Sequence, residues 1–123
     1  ESMTTQADPN CVFCKIVAGE IPAKKVYEDE EVLAFHDIRP VAPVHLLVIP
    51  KHHIPSTKEL TDADAGWMGR LMVAATKVAL AAGCADGWRT IINTGRIGRQ
   101  EVMHLHVHLL GGGNEPLPIM LKR

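Results

Sequence analysis

The stretch Met103-His104-Leu105-His106-Val107-His108-Leu109-Leu110, followed by Gly111, Gly112 and Gly113, decides the reading of this chain. Its three histidines alternate with apolar residues, the period of a β-strand and not of a helix. The expectation is one strand, with the three imidazoles on one side and Leu105, Val107 and Leu109 on the other. Imidazoles two strand steps apart start about 6.8 Å from one another, a spacing that suits gripping a phosphate with its ester substituents. A strand also holds a nucleophile more rigidly than a loop does. The same pattern serves a solvated strand face or a metal-binding histidine cluster, so its context has to decide.

The 123 residues suffice for one core, and the expected organisation is a disordered tail over residues 1–9 followed by a single domain over 10–123. Glu1-Ser2 ahead of Met3 reads as a remnant of expression. Hydrophobic residues make up 46% and charged residues 22%, ordinary values for a globular protein. Aromatics contribute only 4%, which leaves the core to Val, Ile, Leu, Ala and Met. A net charge of −1 argues against a protein that neutralises nucleic-acid backbone, although a small phosphorylated ligand needs only local donors. No apolar run approaches the ~18–20 residues that span a bilayer, so no membrane partner is expected. The polar start has no signal-peptide pattern, and three cysteines, an odd count, suit a reducing cytoplasm.

Asn10 is placed to cap a short helix carrying Val12, Phe13, Ile16 and Val17, which Gly19 stops. Lys25-Val26-Tyr27 and Val32-Leu33-Ala34-Phe35 flank the acidic run Glu28 to Glu31, the outline of a hairpin. His45-Leu46-Leu47-Val48-Ile49-Pro50 reads as a central strand buried on both faces. Thr61 and Asp64 form a helix-starting pair. From there Trp67, Leu71, Ala74, Ala75, Val78 and Ala82 recur at helical spacing until Gly83. Arg89 to Asn93 is a further strand, and the polar loop Thr94 to Glu101 leads into the histidines. Short links between strands predict an α+β fold, an antiparallel sheet of about five strands with one long and one short helix.

Within that frame Asn93, Gln100 and the glycine-containing turn between them offer neutral donors and backbone N–H groups beside the histidines. Two imidazoles and such donors make a cradle for a phosphoryl oxyanion without a metal ion, so catalysis needs no cofactor. Attack of a ring nitrogen on phosphorus splits one hard displacement into two through a phosphoramidate intermediate. His106, flanked on both sides, is the candidate nucleophile, and His108 the donor to phosphate or leaving group. His45, inside an apolar strand, reads as a structural histidine, and Cys84 as a packed residue.

The run His104 to Leu110 resembles the His-φ-His-φ-His-φ-φ signature of the histidine triad (HIT) family. The likeness extends over about residues 11 to 113 through Phe13-Cys14-Lys15-Ile16, Glu20-Ile21-Pro22-Ala23, Ala34-Phe35-His36-Asp37-Ile38, Ala42-Pro43-Val44-His45, Val48-Ile49-Pro50-Lys51 and Gln100-Glu101-Val102-Met103-His104. It is similar to the Hint branch, homodimeric purine nucleoside phosphoramidases that act on the phosphate of AMP or GMP derivatives. The resemblance implies His106 as the residue that becomes nucleotidylated. It also implies that His108, Asn93, Arg99, Gln100 and Glu101 bind the α-phosphate and Asp37 the ribose hydroxyls. Phe13, Ile16, Phe35, His36 and Ile38, with Val12 and Ile21, would line the base. Two departures stand out: Arg99 occupies a position where many Hint proteins have glycine, and Asn114 to Leu121 lacks the tryptophan-proline ending of the animal proteins.

Cys11-x-x-Cys14 alone is compatible with zinc, redox chemistry or neither, and a zinc site needs two further ligands. The resemblance supplies His53 and His104 as those ligands, a structural zinc bracing the histidine strand.

Overall fold

The computed structural model describes residues 7–119. The short helix α1 (Val12–Val17) is followed by three strands, β1 (Lys25–Glu28), β2 (Val32–His36) and β3 (Val44–Pro50). Two 3₁₀ turns, Thr57–Glu59 and Asp62–Asp64, lead into the long helix α2 (Ala65–Ala81), and strands β4 (Arg89–Ile91) and β5 (Val107–Gly111) complete the fold. The five strands form one sheet in the order β1-β2-β3-β5-β4. Every neighbouring pair is antiparallel. This is the α+β architecture expected from the sequence.

Strand alternation sorts the core into two layers. Val32, Ala34, Leu46, Val48, Leu105, Val107 and Leu109 pack with Trp67, Leu71, Ala74, Ala75, Val78 and Ala79 of α2. On the opposite face Leu33, Phe35, Leu47 and Ile49 pack with Phe13 and Ile16 of α1. The central position of β3 explains its apolar run, since residues of both parities meet a packed layer. Gly83 ends α2 with a φ of +91°, a conformation glycine adopts without a Cβ clash.

Four local expectations are corrected. The side chain that caps α1 is Cys11, whose sulfur accepts from the Cys14 amide at 3.4 Å; Asn10 does not cap it. The Thr61–Asp64 capping box closes the second 3₁₀ turn, so α2 starts only at Ala65, and Ala79 is buried where Ala82 is exposed. Residues 1–6 of the expected tail lie outside the described residues. Asp8 does not fit a disordered tail: its carbonyl accepts from the Cys11 amide at 3.0 Å, and its own amide donates to Cys14 Sγ at 3.4 Å.

The largest correction concerns the histidine stretch. Only His108 lies inside a strand, because β5 begins at Val107. The β3–β5 register pairs Val48 with Val107, so two residues on Pro50 stands opposite Leu105. Proline has no N–H to give, and the ladder stops there. The lead-in is held by other bonds: Leu105 N–H donates to Ile54 O at 2.8 Å, and His104 Nε2–H to Pro50 O at 2.8 Å. Side-chain alternation survives, with Leu105 in the α2 layer and His104 and His106 stacked edge-on against Phe13 of α1.

Candidate active site

His106 is buried, and its Nδ1 lies 2.7 Å from the carbonyl oxygen of His104. A carbonyl can only accept, so Nδ1 carries the proton and, in the neutral ring, Nε2 keeps its lone pair. Phe13 stands edge-on to this ring at 5.2 Å, and the His108 ring lies 5.1 Å away. The tautomer and the orientation are therefore both fixed before any substrate arrives.

His108 is oriented by a second chain of hydrogen bonds. The Val41 amide donates to His45 Nδ1 at 3.1 Å, which leaves the proton of the neutral His45 ring on Nε2. That Nε2–H faces His108 Nδ1 at 3.0 Å and Asp37 Oδ2 at 3.3 Å. His108 Nδ1 thus accepts, and its Nε2–H is the donor presented to the site. The sheet explains the encounter: Leu47 pairs with His108 and Leu110 with His45, so the two histidines are diagonal neighbours on one face. Asp37, His45 and His108 also have the composition of a cation site. The protonated Nε2 of His45 leaves no lone pair there for an ion.

Burial pushes His108 down to about 4 and lowers His45 as well, Asp37 opposing the latter shift. Both rings are neutral at pH 7 in the fold, whereas in the unfolded chain they titrate near about 6.5. Below that value the unfolded state binds more protons, so stability falls as pH drops from about 6.5 toward 4. Urea midpoints measured across this interval are expected to decline, and His108→Asn to flatten the decline. A midpoint independent of pH would contradict the neutral pair.

The sequence-derived ligand residues divide. Ile91 pairs with His108, so Asn93, two residues beyond the end of β4, falls opposite His106. Phe13, Ile16 and Phe35 form one buried apolar patch. Asp37 sits at the exit of β2 with its Oδ1 accepting from the Arg39 amide at 2.7 Å. Ile38 is 91% exposed, a bare apolar side chain next to Asp37. His36 is not brought to the site: it shares the parity of Val32 and Ala34, pairs with Leu46, and faces Lys77 and Val78 of α2. The expectation that it lines the base fails because alternation puts Phe35 and His36 on opposite faces.

Gln100 is likewise reassigned. Its Nε2 donates to Pro55 O at 2.6 Å and Val102 O at 2.9 Å, and its Oε1 accepts from the Gly95 amide at 2.9 Å. Both ends of this buried amide are engaged with backbone, so it builds the loop and has no donor left for phosphate. The amides of Arg99 and Gln100 are similarly spent on Arg96 O and Gly95 O. Those of Glu101 to His104 donate to no acceptor among the described residues, which makes that bend the backbone donor set beside His106.

Arg99 is the one non-glycine residue with positive φ among those described, at +62°. The left-handed region costs a side chain about 1–2 kcal/mol, and glycine's extra backbone entropy returns about 0.5–1 kcal/mol of that. Arg99→Gly is therefore expected to stabilise the fold by roughly 0.5–1 kcal/mol, read as a Tm rise of about 2–4 °C. An unchanged or lower Tm would show that the guanidinium makes contacts that offset the strain.

Behind the histidines, Cys11, Cys14, His53 and His104 place four ligand atoms within 4.8 Å of one another. Cys11 Sγ and Cys14 Sγ lie 3.4 and 3.5 Å from His104 Nδ1, Cys14 Sγ 3.4 Å from His53 Nδ1, and the two Nδ1 atoms 3.3 Å apart. A tetrahedral zinc bonded at about 2.3 Å to sulfur and about 2.0 Å to nitrogen sets sulfur–nitrogen pairs about 3.5 Å and nitrogen pairs about 3.3 Å apart. The four residues fit such an ion. Their outer partners fit too, because His104 gives its Nε2–H to Pro50 O, and Asp8 Oδ2 lies 3.9 Å from His53 Nε2. Burial, reinforced by the neighbouring Cys11 and Asp8 and opposed by the Asp8 amide, pushes the Cys14 thiol up to about 11, a cost that a bound cation would remove.

Comparison with known proteins agrees with this geometry: the sequence model of the HIT domain matches residues 18–115. The chain belongs to the HIT domain family. Among HIT relatives, Protein HitA of Neisseria gonorrhoeae is 50% identical over 102 residues, spanning 83% of this chain and 95% of that protein. The crystal structure of a HIT family hydrolase from Legionella pneumophila Philadelphia 1 superposes with a TM-score of 0.83 at 48% identity, covering 89% of this chain and 98% of the other. A histidine triad nucleotide-binding protein from Candida albicans gives 0.74 at 30% identity, covering 93% and 87%. Among the described residues of this HIT chain no helix is long and apolar enough to cross a membrane.

Two residues beside the histidines gain contacts that no sequence pattern marks. Asp8 sits in the segment whose sequence predicts a tail, and no local pattern marks it. His45 is the structural histidine expected from its apolar strand, and its parity with Leu47 and Ile49 puts it on the face from which it reaches His108.

Proposed function

We propose that this protein hydrolyses purine nucleoside 5′-phosphoramidates or acyl-nucleotides through a covalent nucleotidyl-His106 intermediate. The observation that carries the reading is the His106 Nδ1–His104 carbonyl bond, which leaves Nε2 as a buried, oriented nucleophile. In the first step a bond forms between Nε2 and the α-phosphorus while the bond to the leaving group breaks. The departing nitrogen of a phosphoramidate takes up a proton from solvent and leaves as the amine, whereas the departing oxygen of an acyl-nucleotide leaves as the carboxylate. Water then cleaves the phosphorus–nitrogen bond of the intermediate, returning His106 and releasing the nucleoside monophosphate. His108 Nε2–H donates to a phosphate oxygen or to the leaving atom as charge grows there, and Asn93 and the amides after Glu101 hold the other oxygens. Asp37 accepts from the ribose hydroxyls, and Phe13, Ile16, Phe35 and Ile38 receive the base by apolar contact, which discriminates weakly between adenine and guanine.

The neighbours support this reading: one bears the name hydrolase and another the name nucleotide-binding protein. Zinc on Cys11, Cys14, His53 and His104 would be structural, a closed site without an open position, and catalysis would need no cofactor. A homodimer is the assembly that the likeness to the Hint branch implies, and light scattering of the purified chain tests it. The reading stands or falls on trapping: incubation with an adenylated phosphoramidate, acid quench and peptide mapping. Adenylate on His106 supports it, and label on another residue sinks it. Turnover of a diadenosine polyphosphate in preference to the phosphoramidate would move the substrate class to polyphosphates.

A further inference from the structure

Cys11 and Cys14 are coupled to the candidate nucleophile by two routes. The first runs through backbone: the sulfurs hold His104 Nδ1 at 3.4 and 3.5 Å, and the carbonyl of that same residue holds His106 Nδ1 at 2.7 Å. The second runs through Phe13, which lies between the two cysteines on α1 and packs edge-on against His104 at 5.8 Å and His106 at 5.2 Å. The sulfurs are also neighbours, within 4.8 Å of one another in the first turn of α1, with the Cys14 amide donating to Cys11 Sγ. Cys11 is half-buried and Cys14 buried, so an oxidant meets Cys11 first.

We propose that Cys11 and Cys14 form a reversible disulfide that competes with the metal for both sulfurs and, by unseating His104 and Phe13, slows the reaction at His106. The oxidant is a small-molecule or protein disulfide. The Cys11 thiolate attacks one of its sulfurs, forming a mixed disulfide and expelling one thiolate. In the metal-loaded protein both sulfurs are thiolates, so Cys14 Sγ, as it leaves the ligand set, attacks Cys11 Sγ and expels the second thiolate, and the two departing thiolates take their protons from solvent. Two protein thiols are oxidised and one external disulfide is reduced to two thiols. The new S–S bond of about 2.05 Å draws both sulfurs out of the ligand set, so the ion leaves. His104, fully buried, then loses both sulfur contacts and keeps the Pro50 carbonyl and the neighbouring His53 Nδ1.

The effect on turnover rests on the hydrolase reading above; the thiol chemistry does not. The test uses the full zinc-loaded chain treated with glutathione disulfide, alongside Cys84→Ser, whose sulfur is buried in the α2 layer on the other face of the sheet. Expected are a Cys11–Cys14 linkage by peptide mapping, one metal ion released per linkage, and phosphoramidate turnover lowered between about tenfold and a hundredfold. Dithiothreitol with added zinc restores the rate, and Cys84→Ser behaves as the parent. A mixed disulfide that never resolves, a linkage with unchanged turnover, or loss of the cooperative thermal transition on oxidation would each overturn the proposal. Absence of turnover in the reduced protein would instead sink the hydrolase reading, while linkage and metal release still decide the competition for the sulfurs.

Discussion

His106→Ala is expected to lower phosphoramidate turnover by roughly 10⁴- to 10⁶-fold, the range seen when an enzyme loses its nucleophile. Neither of the other two histidines of the stretch can replace it. His108 presents an N–H at Nε2 because His45 occupies its Nδ1, and His104 spends Nδ1 on the cysteine cluster and Nε2 on Pro50 O. Ground-state affinity is expected to survive, since Phe13, Ile16, Phe35, Asp37 and Asn93 remain in place. The two quantities separate the explanations. Single-turnover kinetics should show the loss in the chemical step and no adenylated peptide, whereas AMP binding by calorimetry should stay near the parent value. Equal losses in both would mean that the substitution collapses the pocket, and a variant retaining most of its turnover would remove His106 from the mechanism.

The second large effect concerns the proposed zinc. A ligand that binds only the folded state stabilises it by RT ln(1 + [L]/Kd), about 4 kcal/mol when free metal exceeds Kd a thousandfold. For a chain of this size that corresponds to a Tm change of roughly 10–20 °C. Chelator dialysis, or Cys14→Ser, is accordingly expected to lower Tm by about that amount. Re-addition of zinc should reverse the loss in the chelated parent and not in the variant. The cause is local: without an ion, Cys14, His53 and His104 are packed into one another with no cation to satisfy their lone pairs. A Tm insensitive to chelation, with no zinc by elemental analysis, would leave the cluster as a set of weak sulfur–nitrogen hydrogen bonds.

The fold was legible because its signals are periodic. The apolar runs Val32 to Phe35 and Leu46 to Pro50 mark strands buried on both faces, and the helical spacing from Trp67 to Val78 marks the one buried side of α2. What required coordinates was register. That Pro50 stands opposite Leu105, and so stops the ladder before His106, depends on how two segments far apart in the chain are aligned. Parity explains the His36 error in the same way: adjacent residues were assigned to one pocket although a strand sends them to opposite faces. Gln100 looked like a free donor since its partners, Pro55 and Val102, are invisible without the loop's path. Asp8 carries no pattern, its role arising only from where the chain before α1 passes His53.

The strand order β1-β2-β3-β5-β4 has a consequence for biosynthesis. The strand that carries His108 is translated last of the five yet occupies an interior position, between β3 and β4. Until it is made, β3 offers the open edge of Leu46-Leu47-Val48-Ile49 to any other strand, while α2 and the hairpin are already available to fold. Closing that gap is a long-range event, slow by the usual dependence of folding rate on sequence separation. A nascent chain held short of Val107 is thus an inactive template with an adhesive edge, and chaperone dependence should fall abruptly once β5 clears the ribosome.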